Sequence, residues 1–234
     1  MILITRPEEE AKKLSLILDQ KQIAYHIDSL ISFSILSCKE INVTSNIFLI
    51  SSIQAIYSMQ KNNLFKNSDL ASGSFYAIGS RSSQMLRELG MKQVEETFSD
   101  FNSFNSFLSH NKIKNQINYL CGDIITQEAE LAVESKKLNK IILYRTIAAR
   151  HFRNETIELI KSGKINSVIL YSQYTSLIYH QLITECKMEE RAQNIKCYCL
   201  SSRIAEFMQN KGYNKCIISD DPNQDSLVSS IIKN

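Results

Sequence analysis

The sequence is poor in the residues that mark turns and cofactor-binding loops. Its 234 residues include six glycines, two prolines and no tryptophan. The glycines are scattered, so there is no phosphate-binding glycine loop, and Gly79 stands alone in a turn where a dinucleotide fingerprint needs three. The G-x-S-x-G and H-E-x-x-H motifs of hydrolases and metalloproteases are also missing. The sequence therefore contains none of these familiar motifs, and its function has to be inferred from other features.

Charge and hydropathy exclude two further classes of protein. Lys and Arg total 27 against 24 Asp and Glu, a net charge of +3, and the basic residues are interspersed with acids. We therefore expect no nucleic-acid partner. No apolar run approaches the ~20 residues that cross a bilayer. The opening MILITRPEEE lacks a basic stretch followed by a long apolar one, so we expect no signal peptide, no membrane association and a cytoplasmic location.

The six cysteines and four histidines do not form a metal-binding pattern. Cys197 and Cys199 are two residues apart on a predicted strand, which is not the spacing of a zinc knuckle, and the histidines are far apart in sequence. We therefore predict no metal site. In the cytoplasm we expect the cysteines to stay reduced.

Strand and helix patterns alternate along almost the whole chain. The buried strand Ile47–Ile50 is followed by Ser51 and Ser52, which are N-cap candidates for a helix. The strand Phe75–Ile78 is followed by a turn and a helix that Gly90 can close in a left-handed conformation. This alternation predicts an α/β fold with parallel sheets flanked by helices on both faces.

The alternation occurs twice. Residues 76–91, YAIGSRSSQMLRELGM, match residues 198–213, YCLSSRIAEFMQNKGY, at the tyrosine, at the Ser-Arg pair and at a glycine near the end. The same order continues in two further pairs, 48–59 with 169–180 and 98–108 with 218–228. We predict two similar α/β lobes that arose by duplication.

The second copy lacks a first strand and helix of its own, and residues 2–19 can supply them. The chain would then start in one lobe, cross to the other and return. We predict a discontinuous domain 1, an inserted domain 2 and two extended linker strands side by side. Domain 1 comprises residues 1–33 and 148–234, domain 2 comprises residues 36–143, and the linker strands are 31–35 and 144–148.

Small hydroxyl residues follow the carboxyl ends of the predicted strands, where parallel sheets bind ligands. They are Thr5, Ser51, Ser52, Ser80, Ser82, Ser172, Thr175, Ser201 and Ser202. Each one alone is consistent with an ordinary helix N-cap, but together with the N–H groups of helix N-termini they predict an anionic ligand. Tyr144 ends a strand at the second crossing, where its phenol either donates a proton to a departing oxygen or packs at the hinge.

These features together resemble the uroporphyrinogen-III synthase family. The opening ILITRP of residues 2–7 is similar to the family's first strand and T-R-P turn. The segment LCGD at 120–123 is similar to its middle strand and glycine turn, and Tyr144-Arg145-Thr146 to its Y-x-T. The resemblance covers nearly the whole chain.

Other family turns are matched more loosely. Residues 50–52 and 170–172 resemble the F-T-S turns, with Tyr171 in place of the second threonine, and residues 79–82 resemble the G-x-x-T turn. In the second lobe the G-x-x-T threonine is replaced by Ile204. Arg203 beside it is a candidate for binding a propionate instead.

The resemblance implies a lyase that converts hydroxymethylbilane, a linear tetrapyrrole with eight carboxylates, to uroporphyrinogen III in heme biosynthesis. The ring closes with loss of water and inversion of its last pyrrole, ring D. The resemblance also implies two α/β lobes on a two-stranded linker, no metal and no cofactor. We expect a monomer that makes transient contact with the preceding enzyme of the pathway.

Site residues follow from the same resemblance. Tyr144 matches the tyrosine that assists the departure of water and is the expected catalytic residue. The expected substrate-binding residues are Thr5, Arg6, Ser51, Ser52, Ser80, Ser82, Gly122, Ser172, Ser202 and Arg203. Arg6 has an alternative role, in which it holds the opening turn by pairing with a nearby acid.

Three alternatives stay open at this point. The same two lobes would suit a non-catalytic binding protein for an anionic metabolite. A nucleotide-sugar transferase with twin α/β domains is disfavoured by the short chain and by the missing glycine loop. A flavodoxin-like regulatory module would need a phosphoacceptor aspartate at a strand end, where Asp123 is the one loose candidate.

Overall fold

The chain folds into two compact α/β units. The computed structural model describes residues 1–39, 41–66, 70, 72–91, 93–111, 115–135 and 137–233. Unit 1 contains residues 1–32 and 147–234, and unit 2 contains residues 33–146. Each unit has its own sheet with apolar cores on both faces, which confirms the predicted fold class.

Eleven strands are found among the described residues. They are β1 (Ile2–Ile4), β2 (Tyr25–Ile27), β3 (Ile31–Ile35), β4 (Ile47–Ile50), β5 (Ser74–Ile78), β6 (Val94–Phe98), β7 (Ile117–Gly122), β8 (Leu138–Ala148), β9 (Ser167–Leu170), β10 (Lys196–Cys199) and β11 (Cys216–Ile218).

Most connections between the strands are helical. The α-helices are α1 (Glu8–Gln20), α2 (Ile53–Lys61), α3 (Ser80–Glu88), α4 (Phe101–His110), α5 (Gln127–Glu134), α6 (Asn154–Lys161), α7 (Gln173–Glu185), α8 (Glu189–Ala192), α9 (Ser202–Asn210) and α10 (Gln224–Lys233). A short 3-10 helix covers Leu64–Lys66.

The sheet of unit 1 has the order β11-β10-β9-β1-β2, and all of its strands are parallel. Alternation along the strands divides the core between the two faces. Leu3 pairs with Val168 and packs into one core, whereas Ile4 pairs with Ile169 and packs into the other. The amino-terminal strand thus completes the sheet that the carboxyl-terminal half builds.

The sheet of unit 2 has the order β3-β8-β7-β4-β5-β6, and β4 to β8 are parallel. Phe48 and Ile50 pack into one core, while Leu49 packs into the other. The strand β3 lies beside β8, and the Leu36 N–H donates to the Leu143 carbonyl at 2.9 Å. The role of this strand pair as a linker stays a prediction.

The topology agrees with the sequence repeat. The succession β4-α2-β5-α3-β6-α4 of unit 2 corresponds to β9-α7-β10-α9-β11-α10 of unit 1, and each set of three strands is adjacent in its sheet. Gly90 and Gly212 follow the equivalent helices α3 and α9 with φ of +83° and +89°. Such a left-handed conformation favours glycine, which explains why both copies keep one there.

Candidate functional site

A β-bulge places Tyr144 at the carboxyl edge of the unit 2 sheet. The strands β7 and β8 pair in register up to Cys121 and Ile142, after which Gly122 pairs with Tyr144, so Leu143 is an extra residue. In a regular strand, successive side chains point to opposite faces. The bulge instead turns both Leu143 and Tyr144 into the same core, and Tyr144 is only 7% exposed.

Gly122 lies directly against the Tyr144 ring. A β-carbon at position 122 would lie 2.5 Å from Cε2 and 2.6 Å from Cζ of that ring. The backbone of Gly122 does not have a left-handed φ, so the need for glycine here is steric. Phe33 meets the same ring edge-on, with the centroids 5.4 Å apart. The ring is therefore fixed by direct contact on two sides.

The phenol oxygen of Tyr144 receives hydrogen bonds. The Ser52 hydroxyl caps α2 by accepting the Gln54 N–H at 3.1 Å, which leaves its own proton to donate. Burial raises the pKa of the Tyr144 phenol, whereas hydrogen bonds from the Ser52 hydroxyl and the Gly122 backbone lower the pKa again. The phenol is therefore protonated at neutral pH. A protonated phenol can donate its proton to a suitable acceptor, such as a departing hydroxyl.

The neighbouring serine faces the other side of the sheet. Ser51 and the Tyr119 phenol are 2.6 Å apart, oxygen to oxygen. Tyr119 is 2% exposed, and its burial raises its pKa. Sequence reasoning did not single out Tyr119. The period-two alternation along β4 and β7 explains why two adjacent serines meet two different tyrosines.

Asp123 fixes the strand end that carries Tyr144. Its Oδ1 accepts the N–H of Ile124 at 3.0 Å and of Thr146 at 2.9 Å. Its own N–H donates to the Tyr144 carbonyl at 3.1 Å, and its carbonyl accepts Lys140 Nζ at 3.0 Å. A carboxylate bound by backbone groups in this way shapes a turn, which argues against the phosphoacceptor role considered from the sequence.

The helix α3 begins in unit 2 without a side-chain cap. Its N-cap is Gly79, and Ser80 and Arg81 are its first two residues, both exposed. Ser82, in the same turn, is buried at 5% exposure. An arginine in the first turn opposes the helix dipole, a placement that becomes favourable when an anion lies there.

The equivalent helix α9 of unit 1 begins in the same way. Its N-cap Ser201 makes no capping hydrogen bond through its side chain, and the exposed Ser202 and Arg203 follow. Two exposed arginines thus occupy equivalent first turns. Arg81 was not among the predicted site residues, although the sequence repeat pairs it directly with Arg203. The repeat was therefore the signal that would have found it.

Two of the predicted hydroxyls in unit 1 already have protein partners. Thr5 is fully buried, and its hydroxyl donates to the Ile169 carbonyl at 2.8 Å, which ties β1 to β9. Ser172 caps α7 by accepting the Thr175 N–H at 3.1 Å, and the two hydroxyl oxygens are 2.8 Å apart. Both residues hold the turns at the carboxyl edge of this sheet.

Arg6 packs inside unit 1 and holds several elements together. Its guanidinium lies 3.9 Å from the centroid of the Tyr171 ring, donates to Gln224 Oε1 at 2.7 Å and pairs with the Glu10 carboxylate. The side chain of Arg6 is 14% exposed. This arrangement corresponds to the alternative role for Arg6, in which it pairs with a nearby acid.

The described residues were also compared with the requirements of a metal site and of a membrane-spanning helix. Within the ranges given above, no group of three or more His, Cys, Asp or Glu side chains is arranged to hold a metal. In the same part of the chain, no helix combines the length and the apolar character that crossing a bilayer requires.

The arrangement brings together some predicted residues and separates others. In unit 2, Ser52 and Gly122 meet Tyr144, whereas Ser51 lies on the opposite face of the sheet with Tyr119. In each unit, an uncapped helix start carries an exposed Ser-Arg pair at the carboxyl edge of the sheet. The chemistry on offer is proton donation in unit 2 and anion binding in both units.

Comparison with known proteins agrees with these observations. The family model described as "Uroporphyrinogen-III synthase HemD" matches residues 38–229. No curated protein matches the chain by sequence. The fold is similar to that of the uroporphyrinogen-III synthetase from Helicobacter pylori, with 14% identity, a TM-score of 0.67 and coverage of 99% of this chain and 98% of that one.

A second solved structure gives the same result. A mutant uroporphyrinogen III synthase from the extremely thermophilic bacterium Thermus thermophilus is 10% identical, with a TM-score of 0.66 and coverage of 100% of this chain and 99% of that one. At such identities the structural likeness speaks for the fold, while the family model spans most of the sequence. The resemblance seen in the sequence is thus confirmed, and the chain belongs to the uroporphyrinogen-III synthase family, whose enzymes act in heme biosynthesis.

Proposed function

We propose that this chain is a lyase that closes hydroxymethylbilane to uroporphyrinogen III, with loss of water and inversion of ring D. The observation that carries the proposal is the buried Tyr144 phenol, which the β-bulge positions against Gly122 and whose pKa is raised by burial, so that it keeps its proton. In a family that makes uroporphyrinogen III, such a group is suited to protonate a departing hydroxyl.

The first step breaks the carbon–oxygen bond of the substrate's terminal hydroxymethyl group. The lone pair of the adjacent pyrrole nitrogen expels the hydroxyl, and the Tyr144 phenol donates the proton that lets it leave as water. The product is an electrophilic azafulvene, and loss of the pyrrole N–H proton restores the charge balance. Because the substrate supplies the electrons, the protein has to supply only proton transfer and positioning.

The inversion needs positioning more than acid or base. Ring D attacks the azafulvene through its already substituted carbon and forms a spiro intermediate. That intermediate fragments and recloses with ring D reversed, after which a ring proton is lost. Without a protein to hold the ring, closure occurs at the unsubstituted carbon and gives the type I isomer.

The substrate carboxylates are proposed to bind at the uncapped helix starts. In unit 2 these are the N–H groups and side chains of Ser80 and Arg81, and in unit 1 those of Ser202 and Arg203. Each helix N-terminus contributes only about 0.3–1 kcal/mol to an exposed anion, so several are needed. The arginines add charge-assisted hydrogen bonds with geometry suited to carboxylates.

The other predicted binding residues are assigned by what their side chains already contact. We propose that Ser82 contributes a polar group at the sheet edge of unit 2. Thr5, Arg6, Ser51 and Ser172 are proposed to act by holding the turns in place, and Gly122 by positioning the Tyr144 ring. We further propose a cytoplasmic monomer that needs no metal or cofactor. A transient contact with the preceding enzyme would limit spontaneous closure of the substrate.

Product isomers provide the test. Purified protein is added to enzymatically generated hydroxymethylbilane, the products are oxidised, and the type I and type III porphyrins are separated. A protein-dependent excess of type III is expected. Type I alone, from protein shown to be folded by circular dichroism, would contradict the proposal and favour the non-catalytic binding protein.

A further inference from the structure

Three thiols lie together on one face of the unit 1 sheet, and the proposed synthase reaction uses none of them. They are Cys197 and Cys199 on β10 and Cys216 on the adjacent β11, and we call them the thiol triad. Cys197 and Cys216 are direct partners in the parallel ladder. All three pack with the same apolar cluster, whereas Tyr198 and Ile217 between them face the opposite cluster.

The register allows a bond across the two strands. Neighbouring strands lie about 4.7–4.9 Å apart, and disulfides join α-carbons separated by about 4.4–6.8 Å. The in-register pair of Cys197 and Cys216 meets this α-carbon condition. All six cysteines of the chain are thiols in this structure.

The members of the triad differ in access. Cys197 and Cys199 are fully buried, whereas Cys216 is partly exposed on β11, which is the edge strand of the sheet. In the reduced protein the three thiols donate to backbone carbonyls, Cys216 to that of Tyr213 at 3.6 Å. The neighbouring Cys197 and Cys199 thiols lower the pKa of Cys216 below its usual range. Cys186 offers a contrast, because it is also partly exposed but burial raises its pKa. A thiolate that is accessible and beside other thiols is the arrangement found at oxidation-sensitive cysteines.

We propose that the thiol triad is an oxidation site, at which Cys216 reacts with a hydroperoxide and then forms a reversible disulfide with Cys197. In the first step the Cys216 thiolate attacks the peroxide and the O–O bond breaks. Sulfenic acid forms together with an alkoxide, which is hydroxide when the oxidant is hydrogen peroxide. In the second step the Cys197 sulfur displaces hydroxide from the sulfenic acid, its proton completes a water molecule, and the S–S bond forms. The hydroperoxide is reduced by two electrons and the two thiols are oxidised.

The disulfide is expected to be easily reduced. Side chains of directly paired residues on parallel strands stand side by side, so their β-carbons are separated by nearly the full strand spacing. The preferred separation in a disulfide is about 3.8 Å. The bond would therefore be strained, and strained disulfides have the higher reduction potentials typical of regulatory thiols.

Peptide mapping tests the proposal on the full chain. The protein is treated with hydrogen peroxide, remaining thiols are blocked with N-ethylmaleimide, and the sample is digested with trypsin without reduction. Cleavage after Lys196, Arg203 and Lys215 places Cys197 and Cys199 on one peptide and Cys216 on another. We expect these two peptides to be linked, and dithiothreitol to separate them. Cleavage after Tyr198 by chymotrypsin then shows which cysteine is the partner.

Reactivity gives a second readout that needs no variant. At about pH 6 we expect iodoacetamide to modify Cys216 faster than Cys186 by on the order of ten-fold, because the neighbouring thiols lower the pKa of Cys216 whereas burial raises that of Cys186. Cys216→Ser should abolish the linked peptide, and Cys186→Ser should leave it unchanged. If Cys216→Ser does not fold, the wild-type map and the alkylation rates decide the matter.

Three results would overturn the proposal. One is oxidation of Cys216 to sulfinic acid with no linked peptide. Another is a linked peptide that forms equally well in urea-unfolded protein, since the fold would then not direct it. The third is alkylation of Cys216 no faster than that of Cys186. These readouts are independent of synthase activity, so the proposed function and this site can fail separately.

Discussion

The two units share the order of five strands, and one of the five differs greatly in length. Read from the corresponding end, the order is β2-β1-β9-β10-β11 in unit 1 and β8-β7-β4-β5-β6 in unit 2, where β3 is an additional strand beside β8. The strand β2 has three residues, whereas β8 has eleven and carries the bulge that seats Tyr144. The same scaffold is therefore present twice, and one extended strand makes unit 2 chemically different from unit 1.

In unit 1 the strand that corresponds to β8 is β2, and it is followed by a carboxylate with protein partners. Asp28 follows β2 and is 3% exposed. Its Oδ2 accepts the Thr156 hydroxyl at 2.6 Å and the Arg153 N–H at 2.9 Å. Asp28 thus joins β2 to the start of α6. The end of this strand thus carries a phenol in unit 2 and a carboxylate in unit 1, while both units have an uncapped helix start with a Ser-Arg pair.

Removing the phenol should have the largest effect. Tyr144→Phe is expected to lower kcat by roughly 100-fold, at the low end for a general acid because the hydroxyl of this substrate is already labile. KM should change little, since the ring and its packing remain. Steady-state kinetics measure both constants. Tyr119→Phe is the matched control, because it removes a buried phenol from the other face, and equal losses from the two variants would contradict the assignment.

Crowding the Tyr144 ring at Gly122 should have the next largest effect. Gly122→Ala places a methyl group where the Tyr144 ring lies and is expected to lower kcat by about ten-fold and stability by about 1–3 kcal/mol. Urea unfolding measures the stability change. In a Tyr144→Ala background the same substitution should lower stability much less, because the added methyl group no longer clashes with a ring. If Gly122→Ala lowered stability equally in both backgrounds, contact with the Tyr144 ring would not be the reason for glycine at this position.

Alkaline pH should weaken both units. Burial raises the pKa of Tyr119 and Tyr144 in unit 2 and of Tyr179 and Tyr213 in unit 1. Their contribution to stability is fully present below about pH 10, where unfolded tyrosine keeps its proton. Above this pH the unfolded chain loses protons that the folded one retains, so the free energy of unfolding falls by about 1.4 kcal/mol per pH unit for each phenol.

Urea unfolding between about pH 8 and pH 11 checks this decline. Tyr179→Phe is an informative variant, because the Tyr179 hydroxyl is buried without a hydrogen-bond partner in the part of the chain that the structure describes. This substitution should make the free energy of unfolding fall less steeply with rising pH, without lowering it at about pH 8. A free energy of unfolding that stays flat up to about pH 11 would contradict the burial of these phenols.

The smallest effects are expected at the helix starts. Arg203→Gln and Arg81→Gln should each raise KM by about three-fold and leave kcat unchanged, because an exposed arginine–carboxylate contact contributes only about 0.2–1 kcal/mol. Lys211→Gln removes the same charge at the other end of α9 and serves as the control. If it raises KM equally, the effect is one of general charge and not of the helix start.

The sequence was informative wherever a local pattern determined the structure. Buried runs such as Ile47–Ile50 predicted strands, and Ser52 was correctly identified as a cap candidate. The strand β6 was missed because VEETF is largely exposed and carries no apolar alternation. The strand β8 unites a strand predicted at 140–144 with the predicted linker strand 144–148, and it begins two residues earlier, at Leu138.

The site was less predictable than the fold. Tyr144 was singled out from its position, but the bulge at Leu143 and the contact with Gly122 arise from the pairing of β7 with β8, which a single sequence does not reveal. Thr5 looked like an available hydroxyl and is bonded to the next strand. Whether a hydroxyl is available depends on neighbours distant in sequence, and this limits what spacing alone can predict.

The most direct test compares enzyme-made and spontaneous product in one reaction. Spontaneous closure gives type I, so the ratio of type III to type I reports how fast the protein acts. At saturating substrate the account predicts mainly type III from wild type and Arg203→Gln, and a roughly 100-fold lower rate of type III formation by Tyr144→Phe. The proposed role of Tyr144 is contradicted if folded Tyr144→Phe forms type III as fast as wild type does, or if Arg203→Gln forms it as slowly as Tyr144→Phe.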